Sequence, residues 1–298
     1  MSNKIFKGIM PALITPFNSD GSIKRDAVKE IIDYEYSCGV NGFYINGSTG
    51  EGPALSLKSR IEMSEAVVEY NNNRGVIIEH IGAPDFLDAE ELVKHAERVG
   101  VTAISSLAPN FYFSFSDNEI IDYYKRISSL TSKPVVAYVT GMLKTDIVSL
   151  VERMMQIDNV VGVKYTIPDY FLMRKLCEVN NGDINIINGP DEMLICGLIM
   201  GADGGIGSTY NVMPDWYVKL YEAASKGNWD EAKQWQYKIN KVISLILRVS
   251  ENGAVKGVKL ALRARGFDAG DAVYPSRKYS DSELAAMKAE LIKLGIEL

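Results

Sequence analysis

Short apolar runs alternate with amphipathic stretches along most of this chain, and no other feature constrains the fold as much. The runs occupy residues 8–14, 42–45, 76–81, 103–107, 134–138, 160–164, 184–187 and 204–208. They are rich in Val and Ile and apolar at nearly every position. Strands of a parallel sheet, covered on both faces, have this composition. Between the runs the apolar period becomes helical. Ala89, Leu92, Val93 and Ala96 fall on one helical face. Val28, Ile31 and Ile32 begin another, which Gly39 is placed to end as a C′ residue. Leu57, Ile61 and Val68 share a face behind Ser56, a plausible N-cap. Residues 117–130, 145–156, 169–180, 191–200 and 213–226 complete eight helices. Eight strand-then-helix units predict an α/β protein, a (β/α)8 TIM barrel over residues 1–226. The alternative is an open doubly wound sheet, which usually carries a GxGxxG turn after its first strand. No such turn occurs here.

Beyond Lys226 the alternation stops. Residues 229–249, 254–265 and 281–294 read as helices with no strand between them. Residues 227–298 are therefore expected to form a C-terminal helical extension packed on the barrel. At 298 residues with 47% hydrophobic content, the chain can bury a core of that size.

Composition narrows the function. The net charge is -6 and no basic run occurs, which argues against nucleic acid as a partner. Cys38, Cys177 and Cys196 are scattered and odd in number, which argues against a disulfide framework or a zinc site. With only His80 and His95, a histidine triad or metal cluster is hard to build. No apolar run approaches a membrane span and residues 1–7 show no signal-peptide pattern, so a soluble cytoplasmic protein is expected.

Barrel enzymes place their chemistry at the C-terminal ends of the strands. The second run leads into Gly47-Ser48-Thr49-Gly50-Glu51-Gly52, whose backbone amides and hydroxyls suit a nest for a carboxylate or phosphate. A Gly-rich turn without a ligand reads the same way. The sixth run, Val160-Val161-Gly162-Val163-Lys164, ends in a lysine. Burial among valines favours the neutral amine, which attacks carbonyls. A lysine emerging to solvent or to an ion pair is the competing reading. The fifth run ends in Tyr138, and strands five and six of a barrel are neighbours. A phenol there can relay protons to chemistry at Lys164, although a tyrosine taken singly is more often core or rim. Asp191 and Glu192 follow the seventh run, and Gly207 and Ser208 close the eighth. The two carboxylates can simply favour a helix N-terminus. The glycines can form a barrel phosphate site, but two carboxylates and hydroxyls suit a neutral polyhydroxylated segment better. Lys94 and Lys125 read as solvated helix faces, and His80 as a satisfied core histidine.

Taken together, these segments resemble the N-acetylneuraminate lyase and dihydrodipicolinate synthase family of class I, pyruvate-dependent aldolases, from Gly8 to about Pro275. Gly47-Ser48-Thr49-Gly50-Glu51 is similar to the family's pyruvate-carboxylate loop, Lys164 to its Schiff-base lysine and Tyr138 to its catalytic tyrosine. The segments Gly189-Pro190-Asp191-Glu192 and 204–211 are similar to the sialic acid lyase branch. That likeness implies that Thr166, Gly189, Asp191, Glu192, Gly207 and Ser208 bind a sugar acid. The stretch Val139-Thr140-Gly141-Met142-Leu143 lacks the arginine with which the synthases hold a second carboxylate. It also departs from the family's Asn-x-Pro turn after the tyrosine. Tyr112, in Pro109-Asn110-Phe111-Tyr112-Phe113, is the candidate supporting tyrosine. The resemblance implies pyruvate and a sugar acid as small-molecule ligands, no cofactor, and a homotetramer. Alternative functions are another 2-keto-3-deoxy sugar acid aldolase, a synthase-like enzyme, or a catalytically inactive ligand-binding barrel.

Overall fold

The computed structural model describes residues 3–18, 20–109, 113–251 and 253–298. Its centre is one parallel sheet of eight strands: β1 (Gly8–Pro11), β2 (Gly42–Ile45), β3 (Val76–His80), β4 (Ala103–Leu107), β5 (Val135–Thr140), β6 (Val160–Thr166), β7 (Asn185–Asn188) and β8 (Gly204–Gly207). The order β1-β8-β7-β6-β5-β4-β3-β2 runs round a barrel. A parallel bridge between Ala12 and Tyr44 joins its two ends. Outside it lie α1 (Arg25–Ser37), α2 (Leu57–Asn71), α3 (Phe86–Val99), α4 (Asp117–Ser128), α5 (Ile147–Met154), α6 (Tyr170–Leu176), α7 (Leu194–Met200) and α8 (Pro214–Ser225). Three more helices follow: α9 (Trp229–Ser250), α10 (Val255–Ala264) and α11 (Asp281–Lys293). The protein is thus a (β/α)8 TIM barrel with C-terminal helices. No described helix is long and apolar enough to cross a membrane.

Two of the expected helix ends are formed by the expected chemistry. Ser56 caps α2 by accepting the Ser59 N–H at 3.1 Å. Gly39 follows the Cys38 C-cap of α1 with a φ of 91°, a left-handed conformation that costs glycine little. Two predicted helices are interrupted. The stretch predicted as 169–180 is helical only to Leu176, because Asn180 and Asn181 take φ of 52° and 55° and turn the chain. The stretch predicted as 191–200 opens with a 3-10 turn, Asp191–Met193, before α7. Two strands outrun their predicted ends by two residues, and β7 by one. β5 and β6 continue to Thr140 and Thr166, with Val139 paired to Tyr165 and Thr140 to Thr166. The residues expected to turn directly after Tyr138 are therefore largely strand, and the chain turns at Gly141.

Alternation along each strand decides what enters the barrel. Met10, Tyr44, Ile78, Val136, Val161, Ile187 and Ile206 form an interior cluster. Phe43, Ile45, Ala137, Val139, Val163 and Tyr165 belong to the larger core shared with the helices. Tyr138 and Lys164 lie between outward-packed neighbours on their strands, so both project inward. A register shift at Val135/Val136 brings Tyr138 and Lys164 directly opposite each other.

Candidate active site

Lys164 is 6% exposed. Its Nζ sits 4.1 Å from the centre of the Tyr138 ring and 4.2 Å from that of Tyr44. These two rings meet edge to face with centroids 6.3 Å apart. The Tyr44 hydroxyl bonds the Ser105 hydroxyl at 3.2 Å, which fixes the ring. Lys164 enters no ion pair among the described residues. The Lys164 charge holds the Tyr138 phenol below its ordinary range, against the opposing effect of burial. Thr166 and Ser48 also lower it, so both hydroxyls lie near the phenol. The Thr166 Oγ1 is close but makes no well-formed hydrogen bond, and it is buried without a partner. A buried hydroxyl left open in this way is available to a ligand.

His80 forms a third aromatic wall, 6.3 Å from the Tyr138 ring. Its Nε2 accepts the Leu107 N–H at 3.1 Å. Burial, then the Arg60 and Lys164 charges, push its pKa far down, so the imidazole is neutral. The expected core histidine is buried, but it is not satisfied as expected: its Nδ1 has no hydrogen-bond partner, and it borders the site. Behind it, Arg60 donates to the carbonyls of His80 and Gly82. Glu79 accepts from Asn46 and Ser64 at 3.0 and 2.7 Å. Burial raises the Glu79 carboxyl to about 7.

The loop after β2 bends back on itself. Asn46 and Glu51 take φ of 57° and 59° at its ends, and the Gly52 N–H donates to the Gly47 carbonyl at 3.0 Å. The Thr15 hydroxyl donates to the Gly50 carbonyl at 2.7 Å and ties this loop to the end of β1. Ser48 is exposed, whereas Thr49 is buried and shares a 2.7 Å hydrogen bond with Ser208 after β8. Asp191 is buried, and one of its oxygens accepts both the N–H and the hydroxyl of Thr209 at 2.7 Å. Burial raises its carboxyl to about 6. A Cβ on Gly207 would strike the Asp191 carboxylate, and one on Gly189 the Thr166 hydroxyl, so neither position tolerates a side chain. Glu192 is exposed beside Asp191. The backbone carbonyls of Asp191 and Glu192 accept from Gln236 and Asn240 of α9 at 3.2 and 3.1 Å.

The contacts therefore link Ser48, Tyr138, Lys164, Thr166 and Gly189 in one chain, Thr49 with Ser208 in a second, and Asp191 with Gly207 in a third. Tyr112 lies outside the described residues. Lys94 and Lys125 are exposed and paired with Glu90 and Asp122, as expected of solvated faces. Tyr44 and Thr209 are the residues that reading the sequence missed. Tyr44 had a usable signal, since in Gly42-Phe43-Tyr44-Ile45 the flanking Phe43 and Ile45 share the opposite parity. Thr209 had none, because its bond to Asp191 depends on how two loops meet.

A barrel whose inward face, among the described residues, carries a buried lysine against two phenol rings, with a tight Gly-rich loop after β2, defines a class: (β/α)8 proteins with an amine poised at the strand ends. Residues 5–294 match the dihydrodipicolinate synthetase family, and the chain belongs to that family. It is 33% identical over 287 residues to an N-acetylneuraminate lyase of Rhizobium meliloti, covering 95% of this chain and 93% of that protein. The structure superposes on N-acetylneuraminate lyase from Mycoplasma synoviae with a TM-score of 0.89 and 31% identity, covering 98% of this chain and 99% of that one. A catalytic lysine mutant of the Ruminococcus gnavus sialic acid aldolase matches with a TM-score of 0.89 and 29% identity over 97% of each chain.

Proposed function

We propose that this protein is a class I, Schiff-base aldolase that cleaves N-acetylneuraminate to N-acetylmannosamine and pyruvate. The observation that carries the proposal is the Lys164 amine, buried against the rings of Tyr44 and Tyr138 with no carboxylate partner among the described residues. Such an amine, once deprotonated, is a nucleophile toward a ketone. The similarity to N-acetylneuraminate lyases along nearly the whole chain supports the choice of substrate.

In this reading the open-chain keto acid sets its carboxylate on the amides and hydroxyls of Ser48 and Thr49. Lys164 adds to the C2 ketone and water leaves, forming an imine. Tyr138 takes the proton from the C4 hydroxyl, and the C3–C4 bond breaks. Its electron pair moves into the imine, and the N-acetylhexosamine leaves as an aldehyde. The enamine is protonated at C3, and water hydrolyses the imine to release pyruvate and the free lysine. The lysine supplies the electron sink, so the cycle calls for no cofactor. A neighbouring cation favours the Tyr138 phenolate, the form that can take this proton. Thr166, Gly189, Asp191, Glu192, Gly207 and Ser208 line the path of the polyhydroxylated tail, with Tyr112 as a supporting tyrosine.

Residues 1–226 act as the catalytic barrel and 227–298 as an extension packed on it. Three free cysteines are compatible with a reducing cytoplasm. Exposed apolar side chains such as Phe171 and Ile199 offer contact area for a homotetramer. The test is borohydride trapping with pyruvate, read by intact mass and peptide mapping, with pyruvate release from N-acetylneuraminate measured alongside. An adduct on Lys164 together with pyruvate release is the expected result. A folded protein that forms no adduct would sink the mechanism. An adduct without pyruvate release would move the substrate to another 2-keto-3-deoxy sugar acid.

A further inference from the structure

The C-terminal helices reach the candidate site at a buried ion pair. Lys259 on α10 is 1% exposed. Its Nζ lies 2.5 Å from Glu51 Oε1 and donates to the Asp271 carbonyl at 3.0 Å. It also stands 4.4 Å from the centre of the Phe17 ring. The other Glu51 oxygen accepts the Val273 N–H at 2.7 Å. Glu51 closes the loop proposed to receive a substrate carboxylate, and its own N–H donates to the Ser48 carbonyl at 3.1 Å. Its φ of 59° is uncommon for a residue with a Cβ and persists only where the surroundings hold it. The loop proposed to receive a substrate carboxylate therefore carries a buried carboxylate of its own, three residues beyond Ser48. Left unpaired in a buried setting, it would repel an anionic ligand with little screening.

We propose that Lys259 is a positioning residue that acts on the carboxylate-binding loop through Glu51: it cancels the Glu51 charge, so that the Ser48 and Thr49 amides present a favourable field to an anionic substrate. The extension is thus a working part of the site. The proposal rests on the aldolase reading, and the experiment separates the two.

The rate of borohydride trapping is measured against pyruvate concentration for wild type, Lys259→Met, Glu51→Gln and the double variant. Wild type must trap pyruvate; failure there overturns the aldolase reading itself. Given trapping, Lys259→Met raises the half-saturating pyruvate concentration about tenfold and changes the maximal rate by less than about threefold. Glu51→Gln, which leaves an uncompensated cation at the loop, lowers that concentration by about threefold. The double variant returns close to wild type. A purely structural pair behaves differently, because both single changes break it and both weaken pyruvate. That result, or no change in either single variant, overturns the proposal. If Lys259→Met does not fold, Glu51→Gln is compared with wild type using pyruvate and uncharged pyruvamide as competitors. Binding should improve for pyruvate alone; an equal shift for both overturns the proposal.

Discussion

Two lysines lie buried among the described residues, and their surroundings differ in one respect. Lys259 has a carboxylate 2.5 Å away, a backbone carbonyl at 3.0 Å and a phenylalanine ring. Lys164 has two phenol rings and, among the described residues, no carboxylate within ion-pair distance, although its charge reaches Asp191. Burial depresses the Lys259 ammonium, but Glu51 opposes that shift and favours the charged form. Loss of its proton would strand a buried anion. Lys164 makes no such ion pair among the described residues, and its charge acts instead on the Tyr138 phenol and the Asp191 carboxyl. Burial alone therefore does not mark a reactive lysine. A carboxylate within ion-pair reach, present at Lys259 and absent at Lys164, distinguishes the two.

The contrast can be broken most forcefully at Lys164. Lys164→Met is expected to lower turnover of N-acetylneuraminate by at least about 10⁴-fold, since no other group can form the imine. A residual rate within a hundredfold of wild type would erase the distinction between the two lysines. Lys259→Met should instead strike stability. It leaves the Glu51 carboxylate buried without its cation, at a cost of about 3 kcal/mol in denaturant unfolding. An unfolding free energy within experimental error of wild type would show that the pair is not buried in the working protein. Glu79 offers a carboxyl with hydrogen bonds but no lysine. Its folded value, about 7, lies above the usual 4.5. The folded state therefore holds the proton more tightly, and this stabilisation is fully present below about pH 4.5 and lost as pH rises through about 7. The size of the change is about 3 kcal/mol. Glu79→Gln should flatten the fall in stability between pH 5 and pH 8; an unchanged slope would assign the effect elsewhere. The smallest effect expected is on the stability of Lys164→Met itself, within about 1 kcal/mol of wild type, because no ion pair is broken.

Much of the barrel was legible in the sequence. Parallel strands covered on both faces need continuous apolar runs, and the runs at 42–45 and 103–107 coincide with β2 and β4. Ends were less legible. The extra length of β5 and β6 comes from pairing of Val139 and Thr140 with Tyr165 and Thr166, and pairing is not written in either strand alone. The early stop of α6 had a local signal in Asn180-Asn181-Gly182, residues that tolerate left-handed backbone. The helical period simply outweighed it in the reading.

For the site, the sequence by itself determined that a lysine and a tyrosine end adjacent strands and that a Gly-rich loop follows β2. Those features depend on residue type and short-range periodicity, which any segment carries with it. Only the tertiary structure decided that Tyr44 is the second wall of Lys164, that Thr209 ties down Asp191, and that Lys259 is ion-paired while Lys164, among the described residues, is not. Each of these is a meeting of segments distant in the chain, such as Glu51 and Val273, which lie 222 residues apart. Closure of the barrel and docking of α10 create such neighbours, and in a low-dielectric interior the neighbours decide the chemistry of a buried charge.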